Sequence, residues 1–245
     1  MLGLGTSLST AGAVSEVIPS DISGLQIWLK NNTDIAVGQW DDQSGYGRHA
    51  VQSNSDDQAA ISGGGFDFSS VDPEDYYIFT EDTTAHLEYG GSNAFTIAAV
   101  ITREGTAGDD NALIGGDGTG SYLALTAETE IKIQTAGVGG TTSTFNFGAD
   151  TWKINTEFLF TATKDTSGDW LFYKNGTQQN VTSSTNPTNT GADSVVKFFG
   201  ARNPGHNTGA MTFEGKIKEL VIYNAQLTGD DLTNLNSYLT SKFGL

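Results

Sequence analysis

Acidic side chains are the first residues whose type and spacing could do chemistry. Asp41-Asp42, Asp109-Asp110 and Asp117 lie in stretches rich in Gly, Asn and Ser. Clustered oxygen ligands of this kind suit Ca²⁺. Asp41 and Asp42 with backbone carbonyls form one metal candidate; Asp109, Asp110 and Asp117 form another if their two turns meet. Neither set has EF-hand spacing. Asp is also an ordinary turn residue, so a structural role stands beside the metal one. No cofactor is required on this reading, and Ca²⁺ is the one ion it admits. A second constellation would suit sugar. The stretch Gly200–Asn207 carries Arg202, Asn203 and His206, and Tyr46 and Tyr122 are candidate stacking rings. Arg, amide and imidazole groups bond hydroxyls, and aromatic faces pack against apolar ring surfaces.

Catalytic patterns are weaker. Hydrolysis of a glycosidic bond needs two carboxylates facing each other at about 5–10 Å. The nearest pattern is Glu128-Thr129-Glu130 at a strand start, and nothing places a partner opposite it. No Gly-x-Ser-x-Gly elbow accompanies His49, His86 and His206. Gly115 to Gly120 is Gly-rich but has no phosphate-binding Lys, and reads as a strand connection. The absence of Cys excludes thiolate metal sites, disulfides and Cys nucleophiles. The expectation is therefore that the protein is not an enzyme.

Charge narrows the partners. With 12 Lys and Arg against 29 Asp and Glu, the formal net charge is −17. Such a surface repels phosphate, so nucleic acid is not an expected partner. No apolar run is long enough for a membrane span. The opening residues lack the positive n-region of a signal peptide, because the first Lys is Lys30.

The elements that must position these residues are mostly strands. Leu25, Ile27 and Leu29 alternate with Gln26, Trp28 and Lys30. Residues 94–101 form an apolar run that reads as a strand buried on both faces. Further strands are expected near 75–79, 121–126, 130–135, 143–147, 157–163, 169–174, 194–200 and 212–223. Asn175-Gly176 should close a type I′ hairpin between 169–174 and 177–181. One helix is expected at the end. Thr228 would cap it, Leu232, Leu235, Tyr238, Leu239 and Phe243 would share a face, and Gly244 would stop it. Residues 1–17 read as a flexible arm and 18–245 as one domain, an all-β, two-sheet antiparallel jelly-roll sandwich with a short C-terminal helix.

Several segments carry a resemblance. Residues 37–50, VGQWDDQSGYGRHA, resemble a "V-x-x-W-x-D-x-S-G-x-G-x-x-A" loop. Residues 168–176 resemble a hairpin ending in "Y-x-N-G", and 213–224 resemble "F-x-G-x-I-x-E-h-x-h-Y-n". Together, in this order, they resemble the laminin-G-like branch of the concanavalin A-like lectin/glucanase superfamily. The resemblance implies a jelly roll of about six or seven strands per sheet. It also implies a type of domain found in tailed-phage structural proteins. A non-catalytic capsid-decoration or fibre-type virion subunit is then the first functional reading, with glycan binding open within it. Its partners would be other virion proteins, met through the arm or the sandwich surface, and cell-surface glycans. Its location would be the virion, assembled in the host cytoplasm. A carbohydrate-binding module of a secreted or surface protein, hence extracellular, is the second reading. A glycoside hydrolase is the third.

Overall fold

The structure is a computed structural model and describes residues 16–69, 75–80, 87–105, 111–116, 121–135, 142–186, 195–202 and 212–245. In chain order the first strands are β1 (Leu25–Leu29), β2 (Ile35–Ala36), β3 (Gln39–Trp40), β4 (Ala50–Val51), β5 (Ala60–Ser62), β6 (Gly65–Phe68) and β7 (Tyr77–Phe79). Then come β8 (Phe95–Arg103), β9 (Asn111–Gly116), β10 (Tyr122–Ala127), β11 (Glu130–Gln134), β12 (Thr142–Asn146) and β13 (Glu157–Lys164). The last are β14 (Trp170–Lys174), β15 (Thr177–Gln178), β16 (Ser183–Thr185), β17 (Val196–Phe199) and β18 (Gly215–Tyr223), followed by helix α1 (Gly229–Phe243).

These strands form two antiparallel sheets. One runs β15-β14-β13-β8-β18-β6-β5, with β1 also paired to β18. The other runs β16-β12-β11-β10-β9-β17-β7-β4-β3-β2. The counts, eight and ten among the described residues, exceed the six or seven expected, because several strands are only two or three residues long.

The main core lies between the sheets. Ile97, Ala99 and Ile101 of β8 face Leu123 and Leu125 of β10 and Ile131 and Ile133 of β11 within it, joined by Trp40, Phe66, Tyr77 and Trp152. A second apolar layer covers the other face of the eight-stranded sheet. There Ala98, Val100, Leu159 and Val221 pack under Leu232, Leu235, Tyr238 and Leu239 of α1. The strand β8 is thus buried on both faces, as its continuous apolar run predicts.

Some expectations need correction. Between Leu25 and Ile27 the pairing of β1 with β18 shifts register. A bulge there turns Leu25 to the helix side with Trp28, while Ile27 and Leu29 face the main core. Gly115 and Gly116 are strand residues, not a turn. A Cβ on Gly115 would lie 1.8 Å from the carbonyl oxygen of Arg202, so the close crossing of that segment requires Gly. Thr228 stands at the N-cap of α1, but its side chain makes no capping hydrogen bond. Gly244 ends the helix at φ 69°, as expected. Of the expected arm, residues 1–15 lie outside the described residues; Val17 already packs against the helix-side layer. Tyr223 donates its hydroxyl to the Pro19 carbonyl at 3.0 Å, tying this segment to β18.

Lys164 ends β13 with no solvent exposure, and its Nζ donates to the Asn93 carbonyl. Burial pushes its pKa down from 10.5 to about 8. The folded chain therefore holds this proton less tightly than the unfolded chain. Between pH 8 and 10.5 the unfolded state carries more protons, so this residue's penalty shrinks as pH rises. Below pH 8 the penalty is full. Replacing Lys164→Met should give a stability difference from wild type that moves in wild type's favour from pH 8 to 10.5, in urea titrations at stepped pH. A pH-independent difference would contradict it.

Candidate functional site

The loop between β3 and β4 is built on one carboxylate. Asp42 is 7% exposed. Its Oδ1 accepts from the Trp28 and Ser44 amides at 2.8 and 2.9 Å. Its Oδ2 accepts from the Ser44 hydroxyl at 2.6 Å and the Arg48 amide at 3.1 Å. Four donors occupy the carboxylate, which leaves its oxygens committed to the fold rather than to an ion. Asp41 is outward, with Oδ1 near Gln39 Nε2 at 2.5 Å and His49 Nδ1 at 3.2 Å. The Ca²⁺ reading is thus corrected at Asp42: the chain itself supplies what an ion would satisfy. Asp109, Asp110 and Asp117 lie outside the described residues. Among the described residues, no three His, Asp or Glu side chains gather where they could hold a metal ion.

The same loop presents Tyr46, which is 54% exposed. The Arg48 guanidinium lies 4.6 Å from the centroid of its ring. Arg48 is itself buried and fixed by the Gln26 carbonyl and side-chain oxygens at 3.1 and 2.8 Å. Tyr46 is therefore an open ring on a rigid base.

Tyr122 differs. It begins β10 and pairs with Gly115 of β9. Its side chain is only 3% exposed and joins Ala112 and Ala124 in a small apolar cluster apart from the main core. Arg202 covers it, with its guanidinium 5.3 Å from the ring centroid. The expectation of an open stacking ring is corrected here, because Arg202 occupies that position. The structure joins Tyr122 and Arg202 as one unit, and hooks the loop carrying Tyr46 onto β1 of the other sheet. Asn203 and His206 lie outside the described residues.

The carboxylates nearest to a hydrolase pattern are also committed. Glu128 Oε1 accepts the Ile154 amide at 2.9 Å. Glu130 Oε1 accepts the Thr126 hydroxyl at 2.6 Å and pairs with Lys132 at 3.0 Å. They shape the turn between β10 and β11. Asp165 likewise caps its own turn through the Ser167 and Asp169 amides at 2.8 and 2.9 Å.

Two surface grooves escaped the sequence reading. One, of about 390 Å³, opens where the chain leaves β15, beside Trp170, Leu171, Gln178, Gln179 and Asn180. The other, of about 430 Å³, separates the Asn175-Gly176 turn from α1. The signal for the first was three consecutive amides, Gln178-Gln179-Asn180, after a hairpin.

A family model described as the concanavalin A-like lectin/glucanases superfamily, of laminin G type, matches residues 72–233. The chain belongs to the concanavalin A-like lectin/glucanase superfamily. No curated protein matches its sequence. Solved structures share the fold. The sialidase of Trypanosoma rangeli in complex with sialic acid aligns at TM-score 0.59 and 16% identity, over 92% of this chain and 35% of that one. The binding domain of Paraclostridial Mosquitocidal Protein 1 aligns at 0.61 and 14%, over 92% and 53%. The binding domain of Botulinum neurotoxin DC, in complex with rat synaptotagmin II, aligns at 0.59 and 16%, over 88% and 52%. The chain thus spans about a third of the sialidase's length. At these identities the likeness is one of fold.

Asp42→Ala should cost about 3 kcal/mol or more, since it strands buried donors. Urea unfolding should give the same loss with excess Ca²⁺ or with chelator. A loss reproduced in the wild-type chain by chelation alone would restore the metal reading.

Proposed function

We propose that the chain is a non-catalytic, lectin-like binding domain whose ligand is a glycan. The observation that carries this reading is Arg202 held over Tyr122 by the close crossing at Gly115. The pair places a guanidinium against an aromatic surface, with Asn203 and His206 following in the sequence. Tyr46 over Arg48 supplies a second, open ring. The commitment of Glu128 and Glu130 to the β10–β11 turn supports the non-catalytic part. The similar structures, a sialidase in complex with sialic acid and two toxin binding domains, are compatible with a ligand-binding sandwich.

The finer reading places this domain on a tailed-phage virion, as a decoration or fibre-type subunit docking on other virion proteins. It rests on the family resemblance of residues 37–50, 168–176 and 213–224. Location on the virion follows from it. Among the described residues no helix is long and apolar enough to cross a membrane.

On a glycan array the intact chain should retain a defined set of glycans. Arg202→Ala should weaken that binding about tenfold, and Arg202→Lys should not restore it fully. No hydrolysis of the bound glycans should be detectable; turnover abolished by Glu130→Gln would reverse the reading. Peptide mass spectrometry of purified phage particles should recover the chain if the virion assignment holds, and absence from all of them would refute it.

A further inference from the structure

The groove between the Asn175-Gly176 turn and α1 is bounded by Tyr173 and Thr177 on the hairpin and by Thr233, Asn236, Ser237 and Thr240 on the helix. Its volume of about 430 Å³ falls in the roughly 300–1,000 Å³ range of small-molecule sites. Among the described residues, no Asp, Glu, Lys or Arg lines it.

Asn236 is its key feature. A helix stripe that packs on a sheet should be apolar, yet this position carries an amide that is only 6% exposed. Thr161 of β13 donates its hydroxyl to Asn236 Oδ1 at 2.9 Å. That bond fixes the plane of the amide. The Nδ2 group has no hydrogen-bond partner among the described residues, and it is not one of the buried polar atoms shut off from solvent. A donor pair is therefore held in fixed orientation at the groove wall. Desolvating such a group costs about 1–3 kcal/mol unless an acceptor arrives, so a ligand that covers it must bring one.

The other walls extend this chemistry. The Thr240 hydroxyl donates into its own helix at 2.8 Å to the Asn236 carbonyl, and that of Thr233 to the Gly229 carbonyl at 2.9 Å. Both oxygens remain acceptors. Ser237 and Thr177 have no side-chain partner among the described residues and are exposed. Tyr173, half-buried, offers an aromatic flank between them. The Asn175-Gly176 turn, with φ of 49° and 77°, keeps the mouth open because Gly176 adds no side chain there. A wall of donors and acceptors around an aromatic edge fits a polyhydroxylated ring.

We infer that this groove is a saccharide subsite that takes a neutral sugar residue, with Asn236 as its specificity-determining donor. Neutrality follows from two facts. An anionic sugar is held best by Lys or Arg, and none lines the groove among the described residues. It would also approach a chain of net charge −17. A cationic ligand would want a carboxylate, which is equally missing from the walls. The inference rests on the glycan-binding reading but concerns a surface distinct from Arg202 and Tyr122.

The test uses the intact chain on an array of neutral and sialylated oligosaccharides, followed by titration calorimetry with the best neutral probe. Asn236→Asp replaces the donor pair by acceptors at constant shape. Ser237→Trp fills the groove from an exposed helix position without touching the core. Both should weaken binding of the neutral probe about tenfold or more, and Ser237→Trp should leave the melting temperature unchanged. Wild-type affinity in a folded Ser237→Trp chain would overturn the subsite. So would retention of sialylated probes alone. If neutral binding is lost in Arg202→Ala but kept in Ser237→Trp, the glycan reading survives and the groove inference fails. If no oligosaccharide binds, both fail.

Discussion

Trp28 is gripped by two buried carboxylates, and the two halves of the molecule meet through it. Asp42 accepts its backbone amide at 2.8 Å, and Glu219 accepts its indole Nε1–H at 2.8 Å. A carboxylate removed from water is tolerable only when donors surround it. Asp42 meets that requirement by curling residues 42–48 around itself, which hooks the loop of the ten-stranded sheet onto β1 of the other sheet. Glu219 is fully buried on β18 and meets it with Trp28, the Asn31 amide at 3.3 Å and Lys242 of α1. One desolvation requirement thus sets the loop, and another sets the end of the helix. The helix-side layer can close only where α1 brings Lys242 to Glu219 while its apolar stripe covers Ala98, Val100 and Val221.

That requirement also separates structural polar groups from those left for a ligand. Asp42, Glu128, Glu130, Asp165 and Glu219 all have donors supplied by the chain. Their placement explains why an acid-rich sequence need contain no acid-based site among these residues. The groups left partly unsatisfied are of another kind: an amide at Asn236, hydroxyls at Ser237 and Thr177, amides at Gln178 and Asn180. The exposed ones, Ser237, Thr177 and Gln178, lose little by standing open to water, so the fold does not force them into pairs, whereas Asn236 is buried and held by Thr161. On the reading proposed above, the partner that would satisfy them is neutral and hydroxyl-rich.

Much of this was legible in the sequence where the signal is local. The run at 94–101 could only be a strand covered on both faces, and Asn175-Gly176 could only be a tight hairpin turn. Within 37–50 the structural role open to Asp42 is visible in its bond from the Ser44 amide two residues on, while the Ser44 hydroxyl reaches the Gln26 carbonyl 18 positions away. What sequence could not show depends on distant segments. Gly115 looks like a turn residue until Arg202 is seen crossing above it. Leu25 keeps perfect alternation with Ile27 until the pairing with β18 slips. The strands of two residues, such as β2 and β3, have no period to read; their partners define them. Asn236 looks like a blemish in an apolar stripe, and only Thr161, 75 positions away, turns it into an oriented donor.

The net charge of −17 acquires a sharper meaning from where the cations lie. Four of the twelve Lys and Arg, at 132, 216, 218 and 242, pair with Asp or Glu. Three more, Arg48, Arg103 and Lys164, are buried. Of the five remaining, Lys30, Lys174, Lys197 and Arg202 lie over aromatic rings and Lys153 is exposed. Little positive charge is left to face an incoming ligand, so the long-range field is acidic and disfavours anions before any contact forms. Arg202 sets a delocalised cation against Tyr122 at the start of the 202–206 stretch. Among the described residues, the two grooves beside the hairpin carry no charge of either sign in their walls, and there the field is irrelevant to a neutral ring. On the glycan-binding reading proposed above, ligand charge would then separate the two regions: the Arg202 guanidinium suits an acidic group, and the hydrogen-bonding groups beside the helix suit a neutral ring.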